Sequence, residues 1–305
     1  MRLVADIGGT NARLALCEDG VVDNATVQRF TNADWPNFDA VLAEFCGAHH
    51  GVLLDDMLIA VAGPVGNGRA TLTNRNWTID ASSLAERFDC KCVVLLNDLT
   101  ALGYAVPLIG ADQVRQVCGG NAPTMRTGRA LVVGIGTGFN ISQVITTSHG
   151  TVCPPAEAGH VSMPRSISKQ LAFLNCDPDK FPAVETLFSG RGLSAFCQQR
   201  TGQASLSGQT AIEAYGKAIG DQATEAINDY ASMLGSLLRE LSLSYAPTQG
   251  TYLAGSVARA IAEVAPDRLE NSLGEPCEFI STNPPLVYTI KDDGAALVGC
   301  AKYNG

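Results

Sequence analysis

The chain has 305 residues, more than one hydrophobic core usually serves, so two domains are expected, and 46% hydrophobic residues suffice for a sizeable interior. Acidic residues outnumber basic ones 30 to 21 and no basic stripe is offered to a phosphate backbone, which argues against nucleic acid as a partner. Asp6 ends the first apolar run too early for a signal peptide, and no apolar stretch approaches the roughly 20 residues of a membrane span, so a cytoplasmic protein without a membrane partner is expected.

The first elements lie in LVADIGGTNARLALCEDGVV at 3–22, which reads as strand, glycine turn, strand, tight turn, strand. In a dinucleotide-binding fingerprint the glycine loop feeds a helix. Here Ala12, Leu14 and Leu16 alternate with Arg13 and Ala15, which is strand periodicity, so the loop is a hairpin tip. Gly8 and Gly9 let backbone N–H groups approach an anion, phosphate being the natural one, and Thr10 and Asn11 add side-chain donors. An ordinary glycine hairpin fits this stretch equally well when it is taken alone.

Helices are expected near 36–49 and 81–88, the second capped by Asp80, and MLIAVAGPV (57–65) and CVVLLND (92–98) read as buried strands. In CKCVVLL a period of two places Cys90 and Cys92 on one face of a strand. With no Cys-x-x-Cys and no second Cys/His pair at metal spacing, the ten cysteines are read as buried free thiols. The pattern of 3–22 then returns in ALVVGIGTGFNISQVITTSHGTV at 130–152, about 125 residues on. Two similar halves facing each other across a cleft are expected. After 205 the apolar spacing predicts two packed helices, followed by a strand in TYLAG and a helix from about Val257.

Three clusters carry chemistry. In LLNDLTALGYA a buried strand ends in Asn97 and Asp98 as a helix begins, which is where open α/β sheets bind ligands; the same residue types cap helices, and the residues alone leave both readings open. Glu157 and His160 stand three apart among small residues in PPAEAGHVSMP, free to project into a cleft, while a structural histidine is the ordinary alternative. Glu185 in AVETLFSGRGL opens a helix, where the dipole alone favours an acid.

DIGGTNARLAL, TNRNW, NDLTALGYAVP, GIGTGF, EAGHVSMP, ETLFSGRGL and YLAGSVAR occur in this order and at these spacings over essentially the whole chain. Together they resemble the bacterial glucokinases of the hexokinase and actin-like ATPase superfamily. The resemblance implies an α/β fold of two ribonuclease-H-like domains flanking a substrate cleft, with a small domain at 1–107, to which a C-terminal helix at 293–305 returns, and a large one at 108–292. It implies transfer of phosphate from ATP to glucose, giving glucose 6-phosphate at the entry of glycolysis. By motif, Ala5, Asp6, Ile7, Gly8, Gly9, Thr10 and Asn11, with Arg13 nearby, resemble the first phosphate loop, and Gly136, Thr137 and Gly138 the second. Gly255 and Ser256 match the adenosine-side turn. A carboxylate beside a phosphate loop needs a cation between the two, so Asp6 is expected to hold Mg²⁺ directly or through water. Asn97, Asp98, Glu157, His160 and Glu185 match the sugar-binding set, and Asp98 also matches the catalytic base. The family allows a homodimer without requiring one.

The chain departs from the family pattern at several positions. Asn140 stands where glycine is usual, Ala156 and Ala158 flank Glu157 where glycine is common, Ser256 replaces a second glycine, and the segment after Ala258 is shorter. The Cys-rich zinc motif of the related repressor and kinase family is absent from the sequence. A kinase for another hexose or an amino sugar is the alternative within the class. A non-catalytic sugar-binding regulator is the alternative outside it, and the intact Asp6, Asp98 and both loops count against that one.

Overall fold

A computed structural model describes residues 1–72, 75–120, 127–217, 221–275, 285–291 and 294–303. Thr73 and Asn74 of the TNRNW motif, and Cys277, lie outside them. The chain divides into two compact units, Met1–Ile109 with Asp292–Gly305, and Gly110–Lys291.

The first unit opens on β1 (Arg2–Ile7), β2 (Asn11–Glu18) and β3 (Val21–Val22), the antiparallel run expected from the alternation. Then come β4 (Gln28–Thr31), α1 (Phe38–Ala48), β5 (Asp56–Val61), the short strands β6 (Val65–Gly66), β7 (Arg69–Thr71) and β8 (Thr78–Asp80), α2 (Ala81–Arg87), β9 (Cys92–Asn97) and α3 (Asp98–Ala105). Asp80 caps α2 as expected, accepting from the N–H groups of Ser82 and Ser83. The strand expected over 57–65 ends at Val61. There the chain folds back, Gly63 N donating to Val61 O at 2.9 Å, and Pro64 has no N–H to continue a ladder.

The second unit comprises β10 (Val114–Cys118), β11 (Gly128–Ile135), β12 (Phe139–Thr147), β13 (Gly150–Val152), α4 (Arg165–Phe173), α5 (Val184–Leu187), α6 (Gly190–Thr201), α7 (Gly208–Ala214), α8 (Gln222–Tyr245), β14 (Thr251–Ala254), α9 (Ser256–Val264), α10 (Pro266–Leu273) and β15 (Val287–Ile290). The last helix, α11 (Ala295–Lys302), belongs to the first unit.

The repeat seen in two stretches of sequence extends through both sheets. The first sheet runs β3-β2-β1-β5-β9, and the second, taken from its other edge, β13-β12-β11-β14-β15. In each, an antiparallel meander leads into three parallel strands. β4 pairs with β2 in the first sheet and β10 adds an antiparallel edge beside β15 in the second.

Side-chain alternation along β1 sets what covers each face. Leu3, Ala5 and Ile7 pack with Phe38, Val41, Leu42 and Phe45 of α1 and Leu84 of α2. Val4 on the other face packs with Leu58, Ala60 and Leu96 against Ala101 of α3 and Leu297 and Cys300 of α11. Gly299 lets the two helices touch: a Cβ there would run into the Ala101 carbonyl and lie 3.2 Å from the Ala105 nitrogen. The second core is built around α8, whose Tyr230, Leu234 and Leu238 are buried with Phe188, Phe196 and Leu269.

All nine described cysteines are free thiols, and seven are buried. The expectation for Cys90 and Cys92 is corrected. Cys90 is buried but precedes β9, in a turn where its N–H donates to Ala85 O and Asp89 takes a left-handed φ of 48°, whereas Cys92 opens the strand and is exposed. Strand periodicity therefore does not relate the pair. No helix among the described residues is long and apolar enough to cross a membrane.

Candidate active site

In the first unit the three parallel strands end level, with Ile7 beside Val61 and Val61 beside Asn97. Two strand spacings place the chain leaving β1 about 10 Å from the chain leaving β9. From β1 emerges the glycine loop, closed by Gly8 N donating to Asn11 O at 2.9 Å. Its carbonyls are held from behind by Asn32, which is fully buried: Nδ2 donates to Gly8 O and its N–H to Thr10 O, both at 2.8 Å. Sequence reasoning missed Asn32, whose one signal was an amide at the end of β4 in FTNADW.

From β9 emerges α3. Asn97 is its cap, with Oδ1 accepting from Leu99 N at 3.1 Å, and Nδ2 reaches Gly63 O at 3.3 Å on the intervening strand end. Asp98 Oδ1 accepts from the same Leu99 N at 2.9 Å. Leu99 N is thus shared between the Asn97 cap and Asp98, the first residue of the helix. Asp6 follows Val4 by two on the face covered by α11 and sits opposite Arg13 in the ladder. Burial pushes the Cys300 thiol far above its ordinary range, and the Asp6 charge adds to the effect.

In the second unit Gly136 N donates to Gly138 O at 3.0 Å, closing the second loop, and Gly190 N at the start of α6 donates to Gly136 O at 2.8 Å. Glu185 supports this loop, its Oε2 accepting from Phe139 N at 3.0 Å with Arg191 Nη2 3.8 Å from Oε1. Gly138 is glycine because Glu185 is there: a Cβ would lie 2.6 Å from Oε2. Gly255, at φ +87°, presses against the same loop, where a Cβ would meet the Ile135 carbonyl, and Ser256 opens α9 exposed.

Glu157 and His160 stand at the two ends of a 3-10 turn, both exposed, with His160 N donating to Glu157 O at 3.2 Å. This turn is fastened to the Glu185 segment by Val184 N to Val161 O at 3.0 Å, Met163 N to Pro182 O at 2.9 Å and a bridge between Ser162 and Ala183. The second unit therefore assembles Gly136 to Gly138, Gly255, Glu157, His160 and Glu185 on one framework. Glu157 also lines an open cavity of about 390 Å³ walled by Phe139, Val161, Val184, Leu237 and Tyr245. No group of three or more His, Cys, Asp or Glu residues suited to a metal occurs among the described residues.

A sequence profile described as Glucokinase matches residues 3–303. The chain belongs to the glucokinase family. Membership makes it a hexose kinase that uses ATP. Among curated relatives, the glucokinase of Chelativorans sp. (strain BNC1) is 28% identical over 99% of this chain and 90% of its own length, and that of Marinobacter nauticus is 28% identical over 99% and 97%. Among solved structures, a glucokinase from an Antarctic psychrotroph aligns with TM-score 0.82 at 24% identity, covering 99% of this chain and 97% of that one. A ROK family glucokinase from Streptomyces griseus, in complex with glucose and AMPPNP, aligns with TM-score 0.64 at 20% identity over 98% and 97%. These likenesses establish the actin-like pair of α/β units as the fold.

Proposed function

We propose that this family member transfers the terminal phosphoryl group of ATP to glucose, with Asp98 as the base. The observation that carries the reading is the level ending of β1, β5 and β9, which sets a phosphate-type loop and the Asn97–Asp98 pair on one edge of one sheet. The glucose and AMPPNP in the Streptomyces griseus structure support the same pair of substrates.

Each residue then has a task suited to its chemistry. Backbone N–H groups of Gly8 to Asn11 and Gly136 to Gly138 receive phosphate oxygens, with Asn32 keeping the Gly8 and Thr10 carbonyls turned into the protein. Gly255 and Ser256 meet the adenosine side. Asp6 fits Mg²⁺ as a single carboxylate beside the first loop, since that ion keeps waters and nucleotide oxygens around it and needs no protein cage. When bound, Mg²⁺ neutralises charge on the transferring phosphoryl group. Asn97, Glu157, His160 and Glu185 read sugar hydroxyls, a ring that accepts and donates. Asp98 takes the proton from the attacking hydroxyl late in a loose transition state, so its contribution is positioning as well as basicity. ATP is held inside cells, which assigns the proposed reaction to the cytoplasm.

A coupled ADP-release assay across glucose, mannose, fructose, glucosamine and N-acetylglucosamine tests the reading. The highest kcat/KM is expected for glucose. A preference for an amino sugar by tenfold or more would move the chain to the alternative within its class, and no ADP release with any sugar would overturn the reading.

A further inference from the structure

Asn140 occupies a position where the family pattern has glycine, and in this chain its side chain is fully engaged. It is the second residue of β12, immediately after the second loop, with Phe139 and Ile141 turned into the core on either side of it. Its Nδ2 donates to Ala156 O at 2.7 Å and makes a long contact with Glu157 Oε2 at 3.5 Å. Its Oδ1 accepts from Ala158 N at 3.0 Å and from Ile141 N at 2.8 Å. One carboxamide thus grips the backbone on both sides of Glu157 and touches the Glu157 carboxylate itself. The orientation of the amide is determined by these partners: reversed, its NH₂ would face two N–H donors and its oxygen two acceptors.

We infer that Asn140 is a positioning residue for sugar recognition, holding the Glu157 carboxylate in place through the backbone of Ala156 and Ala158. The inference rests on the assignment of Glu157 to the sugar under the proposed function. Glu157 is exposed, and the turn it opens is only three residues long, so its own helix contributes little to its placement. The Asn140 bonds supply what the turn lacks. A glycine at 140 would offer neither bond.

Three variants, Asn140→Ala, Asn140→Asp and Glu157→Gln, test it through glucose Kd by titration calorimetry without nucleotide, together with KM for glucose and for ATP and the melting temperature. Asn140→Ala is expected to weaken glucose about tenfold while the KM for ATP stays within twofold. Asn140→Asp keeps the shape but sets a second carboxyl beside Glu157. Like charges raise the pH at which such a pair gives up its last proton, and the protonated pair restores a donor at the position of Nδ2. Its glucose Kd relative to wild type should therefore shrink as pH falls from 8 to 5.5. The other ionisable groups around the site, Glu185 with Arg191, His160, and Glu240 across the cavity, are common to both proteins and cancel in the ratio. Should Asn140→Ala fold poorly, the shape-conserving Asn140→Asp series carries the test alone. A loss of glucose binding in Glu157→Gln, with both Asn140 variants within twofold of wild type at every pH or with a pH-independent ratio, would overturn the inference and leave the site reading standing. Unchanged glucose binding in Glu157→Gln would overturn the site reading, and the inference with it.

Discussion

Gly138→Ala separates the architecture of the site from the stability of the fold. Gly138 is outside the left-handed region, so its backbone accepts alanine without strain. The new methyl would stand 2.6 Å from Glu185 Oε2 and 3.3 Å from its Cδ. An ordinary contact needs about 3.5 Å, so the carboxylate must retreat by about 1 Å. It is the free end of a flexible side chain and can do so, but its 3.0 Å bond from Phe139 N then stretches beyond hydrogen-bonding range. A hydrogen bond to a charged group contributes about 1.5–3 kcal/mol, which is a factor of roughly 10 to 150 in an equilibrium constant. Because Glu185 is a proposed sugar ligand, whose bond to a sugar hydroxyl is of the same charged kind, its displacement should lower glucose affinity by about that factor, while the lost Phe139 bond lowers the melting temperature by several degrees. Titration calorimetry with glucose, paired with differential scanning calorimetry, makes the measurement. Glucose binding within twofold of wild type would refute the placement of Glu185, and in a Glu185→Ala background, where the methyl has no carboxylate to displace, the same substitution should show no added effect.

Asp98→Asn preserves the cap on α3 but cannot take a proton, so kcat should fall by roughly 10² to 10⁴ with glucose Kd changed far less, and retention of more than a tenth of kcat would leave Asp98 as a cap only. Asp6→Ala should raise the Mg²⁺ concentration giving half-maximal rate while leaving glucose binding intact; unaltered metal dependence would remove Asp6 from that role. Gly299→Ala would force α11 off the α3 backbone, and since both colliding groups are main chain the cost should reach the upper end of about 1–3 kcal/mol, read as a fall in melting temperature. Burial pushes the Cys153 and Cys197 thiols up to about 12, so iodoacetamide at pH 8 should label exposed Cys92 before either of them, as peptide mass spectrometry would show. The unfolded chain releases these protons from about pH 9 while the folded chain retains them, so the denaturation midpoint should decline as pH rises from 9 toward 12 and hold below 9 on their account.

Local order was legible in the residues. The alternation of Ala12, Leu14 and Leu16 marked a strand where a nucleotide fingerprint would have a helix, Asp80 announced α2, and the second glycine hairpin marked the repeat. These depend on a few neighbouring φ/ψ choices and on caps, which nearby residues dictate. The pairing of β1 with β5, and of β5 with β9, joins strands some fifty and ninety residues along the chain from β1, and only the folded sheet brings their ends level. The same holds for α11, which closes the chain yet covers the face of β1 that carries Asp6. Cys90 and Cys92 followed no strand rule because the strand begins only at Cys92 and burial is assigned by packing, not by period. Asn32 and Asn140 look like ordinary polar residues at a strand end and a strand start. Their work appears only where folding presents them with distant backbone groups, Gly8 and Thr10 in one case and Ala156 and Ala158 in the other, since the partners of such an amide are whatever groups the tertiary fold sets beside it.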